Sequence, residues 1–566
     1  MIKNKKLPLI FIKGKKFPYL FLFSVGLLIY LNSFFNYFLW DDELLIVKNG
    51  YIRSWTNIFK VFLVDIFHWT NKSNFYRPLF TLSLMFDYSF WRLEAFGYHL
   101  TNFFLHLSNS FLIFYLLRFL RQNKRISLIT ALLFLVHPVH TEAVTYISGR
   151  ADPLAVLFSL LTFLFFIKSL SPERIKYIFF YFLSLFFYTC ALLSKEIALA
   201  LPLFLLTYDF LFSPPRKNLL SILKKLYKHL AFLLITLAYI GLRINLFGFA
   251  SKGAVPYSLP LRVINLPHVY AFYIYILILP FNLRVERFLP LIEKMDAGFF
   301  LYAFLLIAVI FWAAKSYRRS KLIFFFSLWF FINIFIVANI VMPLNAVVAE
   351  HWSYLASIGF FYIAACGFDK FLRPRFVFLK WAPTLKFRRS LFVIIVTTLC
   401  LLTISRNFQW KSPVIFFEST LRASEGQFSI RDTRVRYNLA NAYASRGDLD
   451  KAIQEFKRVL EERPDITRVY YSLGLTYARK GLYEEAENKL LKTIELDPGY
   501  LQAYYTLGSL YLKQGDRQKA KLVWKKALEI EPRFPREKEL LEQLKVLKSR
   551  ISSQTIEEEG ILFKND

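Results

Sequence analysis

Long apolar stretches separated by short polar gaps fill the chain between residues 18 and 405. Each stretch has roughly the length that an α-helix needs to cross about 30 Å of hydrocarbon in a bilayer. The chain after residue 405 is polar. The pattern predicts an all-α protein with a membrane domain over residues 18–406. Its twelve apolar stretches lie near residues 18–39, 97–117, 126–147, 151–168, 175–193, 196–212, 229–247, 266–283, 299–314, 322–341, 350–366 and 390–405.

The Lys and Arg residues of the gaps predict which side of the membrane each gap occupies. Basic gaps at 118–125, 168–176 and 216–228 alternate with gaps poor in Lys and Arg, and the N-terminal segment 1–17 is also basic. We expect these basic segments to be cytoplasmic. No small-residue cleavage site follows the first apolar stretch, so we expect that stretch to be retained as a span.

Two later basic gaps, 315–321 and 370–389, also indicate the cytoplasmic side. The chain must then cross an even number of times between residues 228 and 315, although three apolar stretches lie there. One of the three is predicted not to cross alone. Prolines favour a broken or re-entrant segment in this interval: Pro256, Pro260, Pro267 and Pro280. About eleven crossings follow, with the C-terminus outside the cytoplasm.

The polar C-terminal part repeats itself with a period of 34 residues, the period of tetratricopeptide (TPR) repeats. Residues at equal offsets are Leu439, Leu473 and Leu507; Tyr443, Tyr477 and Tyr511; Gly447, Gly481 and Gly515; Ala452, Ala486 and Ala520; Pro464, Pro498 and Pro532. Small Ala lets two helices approach, Gly permits a tight turn and Pro ends the second helix. We predict a linker helix at 407–432, three repeats at 433–534, a capping helix at 535–550 and a polar tail at 551–566.

Composition and charge agree with a membrane protein. The chain of 566 residues is 56% hydrophobic and 19% aromatic, with a mean hydropathy of +0.39, which excludes an ordinary soluble protein. The net charge of +32 lies in gaps between apolar stretches, so membrane lipid is the predicted partner and nucleic acid is not. Cys190, Cys366 and Cys400 all lie in apolar stretches and form no CxxC site.

Ionisable residues collect at the outer ends of the predicted spans, where charged groups are costly and often functional. They are Asp41, Asp42, Glu142, Asp152, Lys195, Glu196 and Glu350. The segment FLWDDELL places Asp41 and Asp42 directly after the first span, where two carboxylates could provide a general base and a second group that orients or binds a ligand. The alternative is that the pair simply begins a solvated loop.

A polar stripe marks the second apolar stretch. His99, Asn102, His106 and Asn109 have offsets of 3, 7 and 10, which place them on one face of a helix. Hydrogen bonding between helices is the favoured interpretation for His106 and Asn109. His99 lies nearer the outer end, where it could contact a site.

The third apolar stretch ends in FLVHPVHTEAVTYISGRADP, which brings His137, His140, Glu142, Arg150 and Asp152 into one outer hairpin. The spacing matches no zinc template such as HExxH, so a metal is not favoured. Arg150 and Lys195 could bind a phosphate or diphosphate. Alternatively, Arg150 pairs with Asp152 and Lys195 with Glu196. Two weaker candidates are Arg77, in Tyr-Arg-Pro, and His351, which follows Glu350.

These segments together resemble a known family. WDDELL, YRPLFTLSLMFDY, GYHLTNFFLHL, HPVHTEAVTYISGRAD, LLSKEIALALPL and AEHWSYLASIGF, followed by TPRs, resemble the transmembrane and tetratricopeptide-repeat (TMTC) proteins and their bacterial relatives. The likeness runs from about Trp40 to the last repeat. It implies a GT-C membrane fold, placement in a bacterial inner membrane and inverting transfer of a sugar, mannose in this family, from a polyprenyl-phosphate donor to Ser or Thr on the extracytoplasmic face.

The resemblance also implies roles for residues and partners. An acidic residue of the first outer loop is needed for catalysis in GT-C enzymes, and Asp41 and Asp42 stand at the matching positions. Arg77, Arg150 and Lys195 are candidates to neutralise the departing phosphate, whereas His351 stands where the family often has Arg. The lipid-linked sugar is then a substrate, and the TPRs bind the acceptor or a partner protein. The paired aspartates permit a divalent metal, although the resemblance to mannosyltransferases does not favour one.

Two other functions remain open from the sequence. Oligosaccharide ligases and polymerases also join a membrane domain to external TPRs, but they carry a large late outer loop, and the gap near 342–350 is short. A scaffold without enzymatic activity would use the outer charges to brace its helices and would tolerate loss of Asp41 and Asp42. The TPR array fits either a peptide-binding groove or a scaffold surface.

Overall fold

A computed structural model describes residues 14–67, 75–170, 173–213, 219–247, 257–285, 287, 289–341, 343–344, 346–373, 384–422 and 430–531. Helices and turns make up the regular structure of these residues, which contain no strand, so the all-α prediction is confirmed. Contacts divide the chain into two compact units, Met1–Phe416 and Phe417–Asp566. Each unit is described by itself below.

Sixteen α-helices precede the repeats within the described residues. They are α1 (Phe17–Tyr30), α2 (Pro78–Trp91), α3 (Ala95–Phe119), α4 (Lys124–Val136), α5 (Thr141–Val144), α6 (Ala151–Ser169), α7 (Arg174–Ser194), α8 (Leu201–Phe212), α9 (Leu219–Phe247), α10 (Leu259–Ile264), α11 (Leu266–Ile278), α12 (Ala297–Ser316), α13 (Lys321–Val337), α14 (Ser353–Phe371), α15 (Leu385–Gln409) and α16 (Pro413–Arg422). Single turns of other helix types lie at Leu31–Phe35, Glu43–Val47, Tyr51–Arg53, Trp55–Asn57, Lys60–Phe62, Pro138–His140, Ile147–Arg150, Glu196–Ala200 and Glu350–Trp352.

In the part of the chain that the structure describes, seven helical stretches are long and apolar enough to cross a membrane: Phe17–Phe35, Ala95–Phe119, Ile147–Ser169, Ile175–Ser194, Leu226–Phe247, Ala297–Ser316 and Leu385–Gln409. An eighth results if Lys124–Val136 and Pro138–Val144, bent by 52°, form one span. Pro138 has no backbone N–H to continue the helix, which accounts for the bend. The protein is thus a membrane protein with several spans, and the number of about eleven stays a prediction.

The interval after α9 contains shorter helices. Helix α11 has 13 residues, or about 20 Å at 1.5 Å per residue, which is less than a bilayer core requires. Residues 279–296 then run without an α-helix as far as the structure describes them. Both observations fit the prediction that one stretch in this interval does not cross alone. Pro256 lies outside the described residues.

The polar stripe of α3 is buried and hydrogen-bonded to neighbouring helices. The His106 ring contacts the Tyr354 hydroxyl at 2.7 Å and the Leu135 carbonyl at 3.1 Å, and the Asn109 amide donates to the Pro153 carbonyl at 2.9 Å. The interpretation of His106 and Asn109 as hydrogen-bonding residues between helices is therefore confirmed.

As far as it is described, the C-terminal unit contains three helical hairpins made by α17 (Ile430–Arg446), α18 (Leu449–Glu462), α19 (Thr467–Lys480), α20 (Tyr483–Leu496), α21 (Leu501–Lys513) and α22 (Arg517–Ile530). The turn glycines Gly447, Gly481 and Gly515 have φ of 94°, 86° and 87°, a backbone conformation that glycine adopts without strain. The repeat prediction is confirmed. Pro532, the predicted capping helix and the tail lie outside the described residues. The predicted linker helix at 407–432 is not one continuous helix. Its first residues, 407–409, are the end of α15, and α16 follows; residues 423–429 are not described.

Candidate functional site

The predicted site residues gather around residues 141–152, which comprise α5, the turn after it and the start of α6. This segment turns tightly at Gly149. A Cβ atom at Gly149 would lie 2.3 Å from the Glu142 carbonyl oxygen, so only glycine fits. Ser148 and Arg150 on either side of the turn therefore have fixed positions, and each binds a carboxylate from another part of the chain.

The Asp42 carboxylate is buried and fixed by this turn. One of its oxygens accepts the Ser148 backbone N–H at 2.9 Å and the Ser148 hydroxyl, and the other accepts the Leu39 N–H at 3.0 Å. Burial raises the pKa of Asp42 to about 7, although the hydrogen bonds from Ser148 and Leu39 oppose the shift. Asp42 thus ties the end of the first span to the 141–152 segment.

Asp41 differs from its neighbour because its side chain is only half-buried. Its backbone N–H donates to the Tyr146 hydroxyl at 3.1 Å. The Tyr146 ring stacks between Trp40 and Trp410, with centroid distances of 6.4 Å and 5.2 Å. The backbone of Asp41 is therefore held by rigid aromatic groups, and the residue is more exposed than Asp42.

Arg150 lies in the interior, where it cannot meet a substrate phosphate at the surface. Its side chain has no exposed area and forms an ion pair of 2.6 Å with Asp87. It also donates to the Asn102 side chain at 2.6 Å and to the Tyr98 and Ser83 carbonyl oxygens at 2.9 Å and 3.2 Å. These contacts contradict both predictions for Arg150, the phosphate contact and the alternative pair with Asp152.

A first cluster of ion pairs lies at the start of the 196–200 turn. Lys195 pairs with Asp152 at 2.7 Å, so the alternative pairing of Lys195 with Glu196 is wrong. Glu196 instead accepts Arg77 at 3.1 Å, and Arg243 of α9 approaches it at 3.8 Å. Three cations thus meet two carboxylates, which leaves an excess of one positive charge. We name these five residues the Arg77–Arg243 cluster.

A second cluster surrounds the start of α14. The Glu142 carboxylate accepts the backbone N–H of His351 at 3.1 Å and contacts its ring at 2.7 Å. Glu350 is buried and pairs with Arg287 and Arg406, both at 3.4 Å. With two arginines and two carboxylates the cluster is balanced when His351 is neutral. It braces α14 against the 141–152 segment and the end of α15.

The remaining predicted histidines are buried in the helix bundle. His137 contacts the Leu277 carbonyl at 3.2 Å, and His140 contacts the Phe134 carbonyl at 2.8 Å and the Ser357 hydroxyl at 3.0 Å. The His99 ring contacts the Asn36 carbonyl at 3.1 Å and is only 3% exposed, so the structure does not bring it to an open site. Over the described residues, no three His, Cys, Asp or Glu side chains lie close enough to form a metal site.

Several residues of the site were missed at the sequence level. Asp87, Ser148, Arg243, Arg287 and Arg406 were not singled out. Arg243 had a usable signal, because a lone charge inside an otherwise apolar stretch is costly and usually has a partner. Ser148 had none, since a serine in a hairpin is ordinary.

Sequence comparison relates the chain to protein mannosyltransferases. Residues 73–252 match the dolichyl-phosphate-mannose-protein mannosyltransferase family, and residues 437–500 and 501–534 match tetratricopeptide repeats. Protein O-mannosyl-transferase TMTC3 of Mus musculus is 27% identical over 482 residues, which cover 78% of this chain and 50% of that protein. Protein O-mannosyl-transferase F38B6.6 of Caenorhabditis elegans is 25% identical, covering 76% of this chain and 60% of that protein.

A shorter match has a higher identity: protein O-mannosyl-transferase TMTC1 of Mus musculus is 37% identical over 206 residues, or 34% of this chain and 22% of that protein. The chain spans about half the length of the curated TMTC3 relatives it matches. Among solved structures, ArnT from Cupriavidus metallidurans bound to undecaprenyl phosphate is 13% identical, with a TM-score of 0.37, over 76% of this chain and 81% of that one. The resemblance to TMTC proteins is thus confirmed by sequence similarity in both parts of the chain.

Proposed function

We propose that the protein is a membrane glycosyltransferase of GT-C type that transfers a sugar, mannose by analogy with its relatives, from a polyprenyl-phosphate carrier to Ser or Thr of a protein. The observation that carries the proposal is the different placement of two adjacent carboxylates. Asp42 is buried and hydrogen-bonded by Ser148, whereas Asp41 is half-buried at the same segment. Within a chain similar to mannosyltransferases, this arrangement supplies one positioned base and one positioning group.

Asp41 acts as the general base in this mechanism. Its carboxylate takes the proton of the acceptor hydroxyl while the hydroxyl oxygen forms a bond to the anomeric carbon of the sugar. The bond between that carbon and the carrier phosphate oxygen breaks, and the lipid phosphate departs with the electron pair. Attack from the side opposite the phosphate inverts the anomeric carbon.

The Arg77–Arg243 cluster is the proposed binding site for the carrier phosphate. It has one excess positive charge, and an arginine fork binds phosphate oxygens in a bidentate manner. The Nε of Arg243 is buried with no hydrogen-bond acceptor, as is that of Arg406 in the second cluster, so the excess positive charge is what distinguishes the Arg77–Arg243 cluster. Lys195 and Asp152 connect this cluster to the first turn of α6, close in sequence to Ser148, which binds Asp42.

We further propose that the TPRs lie outside the cytoplasm, on the side of Asp41, in a bacterial inner membrane. In the first unit, the Tyr37 N–H donates to the Lys411 carbonyl at 3.1 Å, and the Phe416 ring lies 5.9 Å from that of Trp40. The segment that leads to the repeats therefore leaves the membrane unit at the end that carries Asp41. A periplasmic or cytoplasmic reporter fused at Asp566 tests the side.

The activity is tested with the purified full-length protein, a polyprenyl-phosphate-mannose donor and a Ser- and Thr-rich acceptor protein, with mass spectrometry as the readout. We expect single hexoses on the acceptor, and Asp41→Asn should reduce the rate by roughly 10²- to 10⁴-fold. Glu43→Gln is the matched control, because Glu43 is exposed directly after Asp42 and its carboxylate forms an ion pair of 3.1 Å with Lys48.

Three outcomes would contradict the proposal. Long glycans on lipid or protein would indicate an oligosaccharide ligase or polymerase instead. Equal rates for Asp41→Asn and wild type would remove Asp41 from the chemistry. No transfer by the wild type, together with an unchanged set of bound partners in Asp41→Asn and Asp42→Asn cells, would favour a scaffold.

A further inference from the structure

The first helices of the three TPR hairpins present one continuous face that is polar or aromatic except for Leu475. It consists of the residues at offsets 0, 3, 7 and 11 from Arg434, Arg468 and Gln502, and this spacing places them on one side of each helix. They are Arg434, Tyr437, Asn441 and Ser445 of α17; Arg468, Tyr471, Leu475 and Arg479 of α19; and Gln502, Tyr505, Ser509 and Lys513 of α21. All twelve are exposed or half-buried. By contrast, the leucines at offset 5 are buried, 0% to 3% exposed, between the helices. We name this surface the tyrosine face.

Three tyrosines occupy the same place in each repeat of this face: Tyr437, Tyr471 and Tyr505. Hydrogen bonds run from each of the first two to the next hairpin. The Tyr437 hydroxyl lies 3.1 Å from that of Ser472, and the Tyr471 hydroxyl lies 3.3 Å from that of Thr506. The tyrosines therefore form a line across the three first helices.

The line of tyrosines is flanked by positive charge. Arg434 and Arg468 lie at offset 0, and Arg479 and Lys513 lie at offset 11, whereas the face contains no acidic residue. The Arg468 guanidinium lies 4.9 Å from the centre of the Tyr437 ring, which holds this cation in place on the face. A charge of +4 on twelve residues attracts an anionic partner.

We propose that the tyrosine face binds an extended acidic segment of a protein. Neighbouring helices pack about 10 Å apart, so the three first helices offer a line of roughly 20 Å, which six or seven residues of extended chain would cover. Carboxylates on such a segment would meet the basic residues at both edges, and its backbone would lie over the tyrosine rings. If the bound segment belongs to the protein that receives the sugar, this inference rests on the proposed transfer function. The binding of an acidic segment to the tyrosine face does not depend on that function.

Binding is measured by fluorescence anisotropy with the full-length protein in detergent and a labelled peptide of alternating Glu and Ser or Thr. We expect Arg468→Glu and Arg479→Glu each to weaken binding roughly tenfold, since each replaces an attractive charge by a repulsive one. Lys526→Glu is the control, because Lys526 is exposed on α22 and lies outside the tyrosine face. Asp41→Asn should bind like the wild type, which separates binding from transfer.

The inference is overturned by any of three results. One is binding of the acidic peptide that neither Arg468→Glu nor Arg479→Glu weakens. Another is equal binding of the peptide in which Glu is replaced by Lys. The third is preferential binding of single-stranded oligothymidine or of vesicles rich in anionic phospholipid, because a basic aromatic surface could serve those partners instead. Loss of transfer with retained peptide binding would contradict only the proposed function.

Discussion

Ser148 donates both its backbone N–H and its hydroxyl to one oxygen of the Asp42 carboxylate, across 106 positions of sequence. The other oxygen accepts the Leu39 N–H at 3.0 Å. All of these partners are hydrogen-bond donors, so both terminal atoms of the side chain at position 42 must be acceptors. Two adjacent aspartates that look equivalent in the sequence are therefore unequal in the fold, one structural and one accessible.

The first prediction concerns the acceptor at position 42. In Asp42→Asn the amide oxygen can accept from Ser148, but the amide NH₂ then faces the Leu39 N–H, so two donors meet. We expect a loss of about 1–3 kcal/mol in the free energy of unfolding, measured by thermal unfolding in detergent. Ser148→Ala should cost less, roughly 1 kcal/mol, because the backbone N–H remains. A variant Asp42→Asn as stable as the wild type would contradict this account.

The sequence predicted the parts of the fold that depend on neighbouring residues. The 34-residue period predicted the hairpins of α17–α22, and the lengths of the apolar stretches predicted candidate spans. The distribution of Lys and Arg among the gaps predicted that Asp42 and Glu142 lie on the same side of the membrane. Partners of buried charges could not be predicted the same way. Arg150 pairs with Asp87 rather than with Asp152, two positions away, because the Gly149 turn points its side chain inward toward α2 and α3.

The second prediction concerns Arg243 and the carrier phosphate. Arg243→Ala leaves Arg77 paired with Glu196 and Lys195 with Asp152, so the Arg77–Arg243 cluster loses its excess positive charge. We expect the KM for the lipid-linked donor to rise by roughly 10- to 100-fold, the worth of a hydrogen bond to a charged group, with the KM for the acceptor unchanged. Initial rates at varied donor concentration measure the change.

The matched control for Arg243 is Arg406→Ala. Arg406 is an equally buried arginine at the end of an apolar helix, but it pairs with Glu350 in the balanced second cluster. This variant should reduce stability without raising the KM for the donor selectively. If the KM for the donor rose in Arg406→Ala and not in Arg243→Ala, the carrier phosphate would bind at the second cluster and not at the Arg77–Arg243 cluster.

The third prediction is a pH dependence of stability. Burial raises the pKa of Asp42 from its ordinary 3.8 to about 7, so between these values the folded protein holds a proton that the unfolded chain has released. The contribution of Asp42 to the free energy of unfolding therefore falls as the pH rises from about 4 to about 7, and it is constant above about pH 7. The difference in melting temperature between the wild type and Asp42→Asn should narrow as the pH rises from 5 to 8.

The titration of other carboxylates changes both proteins alike, so only the difference reports Asp42. Glu43→Gln should keep the wild-type slope, because Glu43 is exposed in the same loop. Parallel curves for the wild type and Asp42→Asn over this range would show that Asp42 ionises at the same pH in the folded and unfolded chain, contrary to the prediction.

The last prediction removes no charge and no hydrogen-bonding side chain. In Gly149→Ala the added Cβ would lie 2.3 Å from the Glu142 carbonyl oxygen and 3.0 Å from the Ala143 Cα, both backbone atoms. Because backbone cannot move aside as a side chain can, the turn must open and carry Ser148 away from Asp42. We expect a loss of about 1–3 kcal/mol in stability and a transfer rate at least tenfold lower. Gly367→Ala is the control, since nothing lies within 4 Å of its Cβ. A folded Gly149→Ala protein with wild-type transfer would show that the 141–152 segment does not position the chemistry.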